Sequence, residues 1–219
     1  MSGLRSYGDP CGIARALDLV GERWALLVVR ELLLGPKRFT DLRAGLPGAS
    51  QNVLAERLRE LEGGGVVRRR RLPTPARIWV YELTDWGLEL EPVILALGRW
   101  GSRAASLPPG ELSVDALMIA LKTTFDTRAA ANLRATFEVR LGEERFCVQV
   151  ANRQLDLTRG SAEQPDATLA TDAASLRKLV LGDRQLDAAL TAGDVKVSGD
   201  RQALSKLLKL FRRPAVVTG

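Results

Sequence analysis

Between residues 39 and 83 a short helical pattern, a tight turn, a longer helical pattern and two β-type runs follow one another almost without spare residues. Few folds accept that order. Phe39 to Ala44 has helical spacing, with Thr40 as a suitable N-cap. Leu46-Pro47-Gly48-Ala49 forms a turn, and Ser50 then caps a helix running to about Glu62. Gly63-Gly64-Gly65 ends it, because glycine tolerates the positive φ at which chains leave helices. Residues 66–72 read as a strand, Pro73-Thr74-Pro75 as a turn and residues 77–83 as the return strand. Short helix, turn, amphipathic helix and hairpin together give the outline of a winged helix-turn-helix.

The longer helix separates core from contact positions. Leu54, Leu58 and Leu61 are spaced i, i+4, i+7 and face inward. Asn52, Glu56 and Arg59 then fall on the opposite side, with Gln51 at the end that enters a major groove. Asn and Gln match adenine edges, Arg matches guanine, and Glu accepts from cytosine. Arg57 lies near the core edge and suits either a phosphate or an ion pair. The hairpin opens with Arg68-Arg69-Arg70-Arg71, a run suited to phosphate contact and also compatible with a plain solvated face.

Composition removes several chemistries. The 219 residues contain no histidine, which excludes a Ser-His-Asp triad and any His-containing zinc site. Two cysteines, Cys11 and Cys147, are too far apart for a CxxC pair and too few for a Cys-only cluster. No cofactor or metal site and no enzymatic activity are expected. No run reaches the ~18 apolar residues of a membrane helix, and the start MSGLRSYGDPC has no apolar leader. A cytoplasmic protein is expected. The formal net charge of +6 is modest, so specificity must come more from base contacts and geometry than from bulk attraction.

Residues 11–21 and 23–34 add two helical patterns, with Ile13, Leu17 and Val20 on one face and Trp24, Leu27, Val28, Leu32 and Leu33 on another. The segments Ala16-Leu17-Asp18-Leu19-Val20-Gly21-Glu22-Arg23-Trp24, Gly35-Pro36-Lys37-Arg38-Phe39-Thr40-Asp41-Leu42, Ser50-Gln51-Asn52-Val53-Leu54 and Tyr81-Glu82-Leu83-Thr84 resemble the HxlR-type winged-helix regulators over about residues 9–103. That resemblance implies a homodimeric transcriptional regulator that binds near-palindromic double-stranded DNA. Its candidate DNA contacts are Lys37, Arg38 and Thr40, then Ser50, Gln51, Asn52, Glu56, Arg57 and Arg59, then Arg69, Arg70, Arg71 and Arg77. It also implies dimerisation through the N-terminal helix and a helix over 85–104, whose Leu88, Leu90, Val93, Leu95, Leu97 and Trp100 suit an interface or an internal core. Some members sense oxidants through a cysteine near Cys11, which is then a redox candidate. A reactive thiol needs exposure and a cationic neighbour, and an inert buried role is the alternative.

Ser106-Leu107-Pro108-Pro109-Gly110 reads as a linker, dividing the chain into domains 1–106 and 107–219. Beyond it, Val114, Leu117, Met118, Leu121 and Phe125 keep helical spacing. The period then changes to two over 133–141 and 146–150, with a further strand at Leu155 and Leu157. Residues 166–170 form a strand, Asp172 caps a helix to Leu181, and a short helix at 186–191, a strand at 195–197 and a helix at 201–211 complete the series. Cys147 falls on the polar face of this sheet. The fold class is therefore α+β: a winged helix followed by a small domain with a mainly antiparallel sheet covered by helices. Apolar filling of that layer fits either a solid core or a pocket.

Pro165-Asp166-Ala167-Thr168-Leu169-Ala170-Thr171-Asp172, Leu179-Val180-Leu181-Gly182 and Gly193-Asp194-Val195-Lys196-Val197-Ser198-Gly199-Asp200 are similar to the sterol carrier protein type two domain over about residues 112–212. The resemblance implies an apolar small-molecule or lipid effector lined by Leu117, Leu121, Phe125, Phe137, Val139, Phe146, Val148, Leu207, Leu210 and Phe211. The functional expectation is a one-component regulator modulated by that effector. The alternatives are a lipid carrier whose winged helix contacts protein, and a thiol sensor acting through Cys11.

Overall fold

The computed structural model describes residues 6–73, 77–104, 110–130, 133–182, 184–212 and 215–217. Two compact units emerge, Met1–Ile94 and Leu95–Gly219. Their division falls inside a helix, ahead of the expected linker, of which Ser106, Leu107, Pro108 and Pro109 lie outside the described residues.

The first unit contains α1 (Gly12–Val20), α2 (Ala25–Leu32), α3 (Phe39–Gly45), α4 (Gln51–Gly63), β1 (Val67–Arg71), β2 (Trp79–Leu83) and α5 (Asp85–Leu88). Its core joins Val28, Val29 and Leu32 of α2 to Leu42 of α3, Leu54, Leu58 and Leu61 of α4, and Val67 and Val80 of the hairpin. Each such side chain stabilises the unit by roughly 1.5–3 kcal/mol relative to exposure. Strands β1 and β2 pair antiparallel, Val67 opposite Leu83 and Arg71 opposite Trp79. Thr74 and Pro75 of the expected turn lie outside the described residues.

Several local expectations change. Thr40 is not the cap of α3. That place belongs to Arg38, whose N–H donates to the Asp41 carboxylate at 3.2 Å. Trp24 has φ 79°, left-handed for a bulky residue, so α2 starts at Ala25 and not at residue 23. The helix expected over 85–104 is two: α5, then α6 (Glu91–Gly101). Pro92 has no N–H to bond the Leu88 carbonyl and its ring crowds that carbonyl, which disfavours a continuous helix and suits Pro92 to the first turn of α6. Gly87 is fixed by packing, since a Cβ at that position would run into the Val66 carbonyl oxygen. Along α1, Ala14 and Val20 are buried while Ile13 and Leu17 are exposed, so the apolar stripe does not serve the unit's own core throughout.

The second unit has one five-stranded sheet, ordered β5 (Gln154–Arg159), β4 (Glu144–Ala151), β3 (Ala135–Leu141), β6 (Ala167–Thr171), β7 (Lys196–Gly199). All neighbours run antiparallel except β3 and β6, which are parallel. Register places Phe137 opposite Val148 and Val139 opposite Phe146, which makes one face apolar. On the other face Cys147 pairs with Glu138, as the alternation requires. The β4–β5 turn holds Asn152 and Arg153 at φ 53° and 64°, the left-handed pair that a two-residue hairpin favours. Helices α7 (Val114–Thr124), α8 (Ala173–Leu181), α9 (Leu186–Thr191) and α10 (Arg201–Leu208) complete it. The last helix stops before Phe211, which instead bridges to Phe125 with ring centres 6.2 Å apart. No helix among the described residues is long and apolar enough to cross a membrane.

Candidate nucleic-acid interface

Ser50 fixes the start of α4: its hydroxyl accepts from the Val53 N–H at 3.4 Å. With the leucine stripe buried, Gln51 and Asn52 stand exposed on the first turn and Arg59 two turns later. Thr40, Arg43, Ala44, Pro47, Gly48, Ala49, Ser50 and Gln51 line a shallow cleft of about 690 Å³ between α3 and α4. Arg43 was missed in the sequence, although it lies i+3 from Thr40 on the exposed side of α3.

Arg57 takes the ion-pair role of the two open to it. Its side chain is only 10% exposed and pairs with Glu60 and, at 3.7 Å, with Glu22. Burial pushes the Glu60 carboxyl up, and Arg57 opposes that shift only in part. Glu56 is half-buried beside Arg57. Arg59 remains on the surface, its Nε donating to the Ala55 carbonyl at 3.4 Å.

Lys37 is likewise turned inward. Its Nζ lies 3.2 Å from the fully buried Glu31 carboxylate, which also accepts from Arg30 at 2.8 Å. Its backbone pairs with Tyr81, tying the start of α3 to the hairpin. Arg38 and Thr40 are exposed.

The hairpin sorts its four arginines by face. Arg68 and Arg70 point to one side, where both donate to Glu82, at 2.7 and 2.6 Å. Burial would raise the Glu82 carboxyl, but these hydrogen bonds outweigh it and hold it below the usual carboxylate range. Arg69 and Arg71 point to the other side. Arg69 lies over the Trp79 ring at 4.6 Å and near Tyr81 at 5.9 Å, and Arg71 donates to the Arg77 carbonyl at 3.2 Å. Among the described residues the wing therefore has one face whose two arginines share a single carboxylate and one whose arginines have no carboxylate partner. Trp79, 51% exposed, was also missed; its place opposite Arg71 was readable once the hairpin was aligned.

Cys11 is exposed at the N-cap of α1, its backbone N–H donating to Asp9 at 2.8 Å. In the second unit, Leu117, Leu121, Phe137, Val139, Phe146, Val148, Leu207, Leu210 and Phe211 are buried and Phe125 half-buried. A cleft of about 460 Å³ there shares Leu117 with that set.

A capped helix with polar groups outward, a short helix before it and a hairpin with one cationic face define a winged helix-turn-helix, the fold of DNA-binding regulators. The HxlR-like helix-turn-helix family model matches residues 19–107. The HTH-type transcriptional regulator YvaP of Bacillus subtilis, itself uncharacterized, is 45% identical over 40% of this chain and 82% of its own. YodB of the same organism, also an HTH-type transcriptional regulator, is 40% identical over 40% of this chain and 79% of its own. The chain belongs to the HxlR-like helix-turn-helix family. Over residues 109–216 it matches the alkyl sulfatase C-terminal family model, in place of the sterol carrier likeness read from the sequence. A solved variant of the sec-alkyl sulfatase PisA1 aligns with 46% of this chain and 16% of its own, at 22% identity and a TM-score of 0.43.

Proposed function

We propose that the chain is a homodimeric transcriptional regulator in which two copies of α4 read a near-palindromic duplex. Gln51, Asn52 and Arg59 meet base edges, and Arg69, Arg71 and Arg77 meet phosphates beside them. The division of the wing into a face whose arginines are held by Glu82 and a face whose arginines have no carboxylate partner among the described residues carries this reading. Arg38, Thr40 and Ser50 position the protein on the backbone. Dimerisation uses the uncovered Ile13 and Leu17 of α1 and the exposed Val93, Leu97 and Trp100 of α6. The second half, from about residue 107, receives an apolar effector, and that molecule acts by binding the DNA-competent and incompetent states unequally.

The test is a fluorescence-anisotropy titration of labelled DNA flanking the protein's own gene, repeated over a range of salt concentrations. Specific binding by a dimer, weakening steeply with salt, is the expected result. Salt-insensitive or absent binding, with a protein partner retained instead, would favour the carrier reading. A thiol signal at Cys11 is the second reading, favoured by its exposure. Operator release by diamide in the wild type but not in Cys11→Ser would establish it.

A further inference from the structure

Trp24 stands at φ 79°, in the left-handed region that a bulky residue keeps only where its surroundings hold it there. Two backbone hydrogen bonds do so. The Ala25 N–H donates to the Glu22 carbonyl at 3.0 Å, and the Val28 N–H donates to the Trp24 carbonyl at 2.9 Å. The direction in which the indole leaves the main chain is thereby fixed. Arg23 lies over its ring at 5.4 Å, and its far edge reaches the turn between α3 and α4. A Cβ at position 48 would lie 2.8 Å from Cη2 and 3.5 Å from Cζ2 of that indole, closer than side chains pack.

This contact accounts for a glycine that the turn itself does not require. The turn closes through the Ala49 N–H, which donates to the Leu46 carbonyl at 2.9 Å. Gly48 is not at positive φ, so an alanine there would carry no backbone strain, and its three nearest neighbours would all be indole atoms. Ala49 is buried, and Ser50, next in the chain, caps α4. Whatever moves residue 48 therefore moves the cap, and with it Gln51 and Asn52. The same stretch meets α4 twice more. Glu22 lies 3.7 Å from Arg57, and a Cβ at Gly64, the C-cap, would lie 3.1 Å from Cδ2 of Leu19. Of these three supports, only Trp24 acts at the end of α4 that carries Gln51 and Asn52.

We infer that Trp24 is a positioning residue for DNA recognition: its indole sets where the α3–α4 turn stops, and so how Gln51 and Asn52 meet the duplex, with Gly48 as its size-matched partner. The consequence at DNA rests on α4 being the reading helix; the fit of indole to glycine does not.

The experiment is a double-mutant cycle of Gly48→Ala and Trp24→Phe in the full chain, since phenylalanine lacks the benzo edge that faces Gly48. Each variant is read twice. The first readout is amide exchange, without DNA, at Val53 and Leu54, whose N–H groups donate to Ser50. The second is the ratio of affinities for the DNA flanking the protein's own gene and for a scrambled duplex, over a salt series. Gly48→Ala should speed exchange and cut the affinity ratio by about tenfold. Its affinity for the scrambled duplex and its salt slope should stay as in the wild type, because the wing's cations are untouched. In the Trp24→Phe background the same alanine should change the ratio by about twofold or less. Trp24→Phe alone leaves a gap in place of a clash and should lower the ratio by about threefold. Equal effects of Gly48→Ala in both backgrounds, or a wild-type ratio in Trp24→Phe, would overturn the assignment. So would parallel losses on both duplexes, the mark of a smaller folded fraction. Asn52→Ala separates this failure from that of the reading helix. If it lowers the ratio and Gly48→Ala does not, Trp24 does not position α4. If neither does, α4 is not the reader and the role of Trp24 falls with it.

Discussion

The Arg69 guanidinium lies 4.6 Å from the centre of the Trp79 ring, on the face of the wing that Glu82 does not reach. Stacking on an exposed indole orients the cation without removing its charge or its N–H groups. Arg68 and Arg70, one residue away on either side, are both committed to one carboxylate. A run of identical residues therefore becomes two chemically different surfaces, decided by what each faces on β2.

Arg69→Ala and Arg71→Ala should each lower the slope of log affinity against log salt by about one, the loss of one phosphate contact. Arg68→Ala should lower it less, because Arg68 is held by Glu82 on the opposite face of the wing. Equal slopes for Arg68→Ala and Arg69→Ala in anisotropy titrations would remove the distinction between the faces.

Glu82 also sets a pH dependence. Its carboxyl is depressed in the folded chain, so its contribution to stability is full above the ordinary value of about 4.3 and is lost as pH falls through the lower folded value. Urea melts between pH 7 and pH 3 should show Glu82→Gln losing less stability on acidification than the wild type. At neutral pH the same variant frees two arginines, so nonspecific DNA affinity should rise and become more salt-sensitive. An unchanged acid slope would mean that the arginines do not hold this carboxylate.

Much of the first unit was legible because its periods are clean. The Leu54, Leu58, Leu61 stripe, the Ser50 cap and the hairpin follow from local rules. Arg57 and Lys37 were not legible as inward residues. Each is a long cation at the margin of an apolar stripe; Glu60 is an i+3 neighbour of Arg57 on α4, but only tertiary structure brings Glu22 to Arg57 and Glu31 to Lys37. The split just ahead of Pro92 was written in the sequence, yet the helical spacing on either side obscured it. In the second unit, alternation gave the strands and the face of Cys147. The parallel pairing of β3 with β6 depends on long-range closure and leaves no local mark.

Glu31 tests the inward network. Its carboxylate is fully buried with Arg30 and Lys37 on it, and a Cβ at Gly45 would collide with it. Glu31→Ala should destabilise the protein by about 3–5 kcal/mol, since it strands partly buried cations. Glu31→Gln should cost less. Thermal melts that place both within 0.5 kcal/mol of wild type, the scale of an ordinary surface change (~0.5 kcal/mol), would contradict this account.

The uncovered face of α1 makes a separate claim. Ile13 and Leu17 are 73% and 42% exposed, so Leu17→Glu should leave the protomer's own stability nearly unchanged. Sedimentation velocity should show it shifted toward monomer, with operator affinity falling in parallel. A dimer of wild-type strength would place the interface elsewhere.

The central claim is that α4 reads bases while the wing supplies charge. Asn52→Ala should be titrated beside Arg69→Ala on the flanking DNA and on a scrambled duplex, over a salt series. The account predicts that Asn52→Ala loses about 1–3 kcal/mol on the flanking DNA alone and keeps the wild-type salt slope. Arg69→Ala should lose affinity on both duplexes and show a reduced slope. Equal losses for Asn52→Ala on both duplexes, or none on either, would contradict the assignment of α4 as the reading helix.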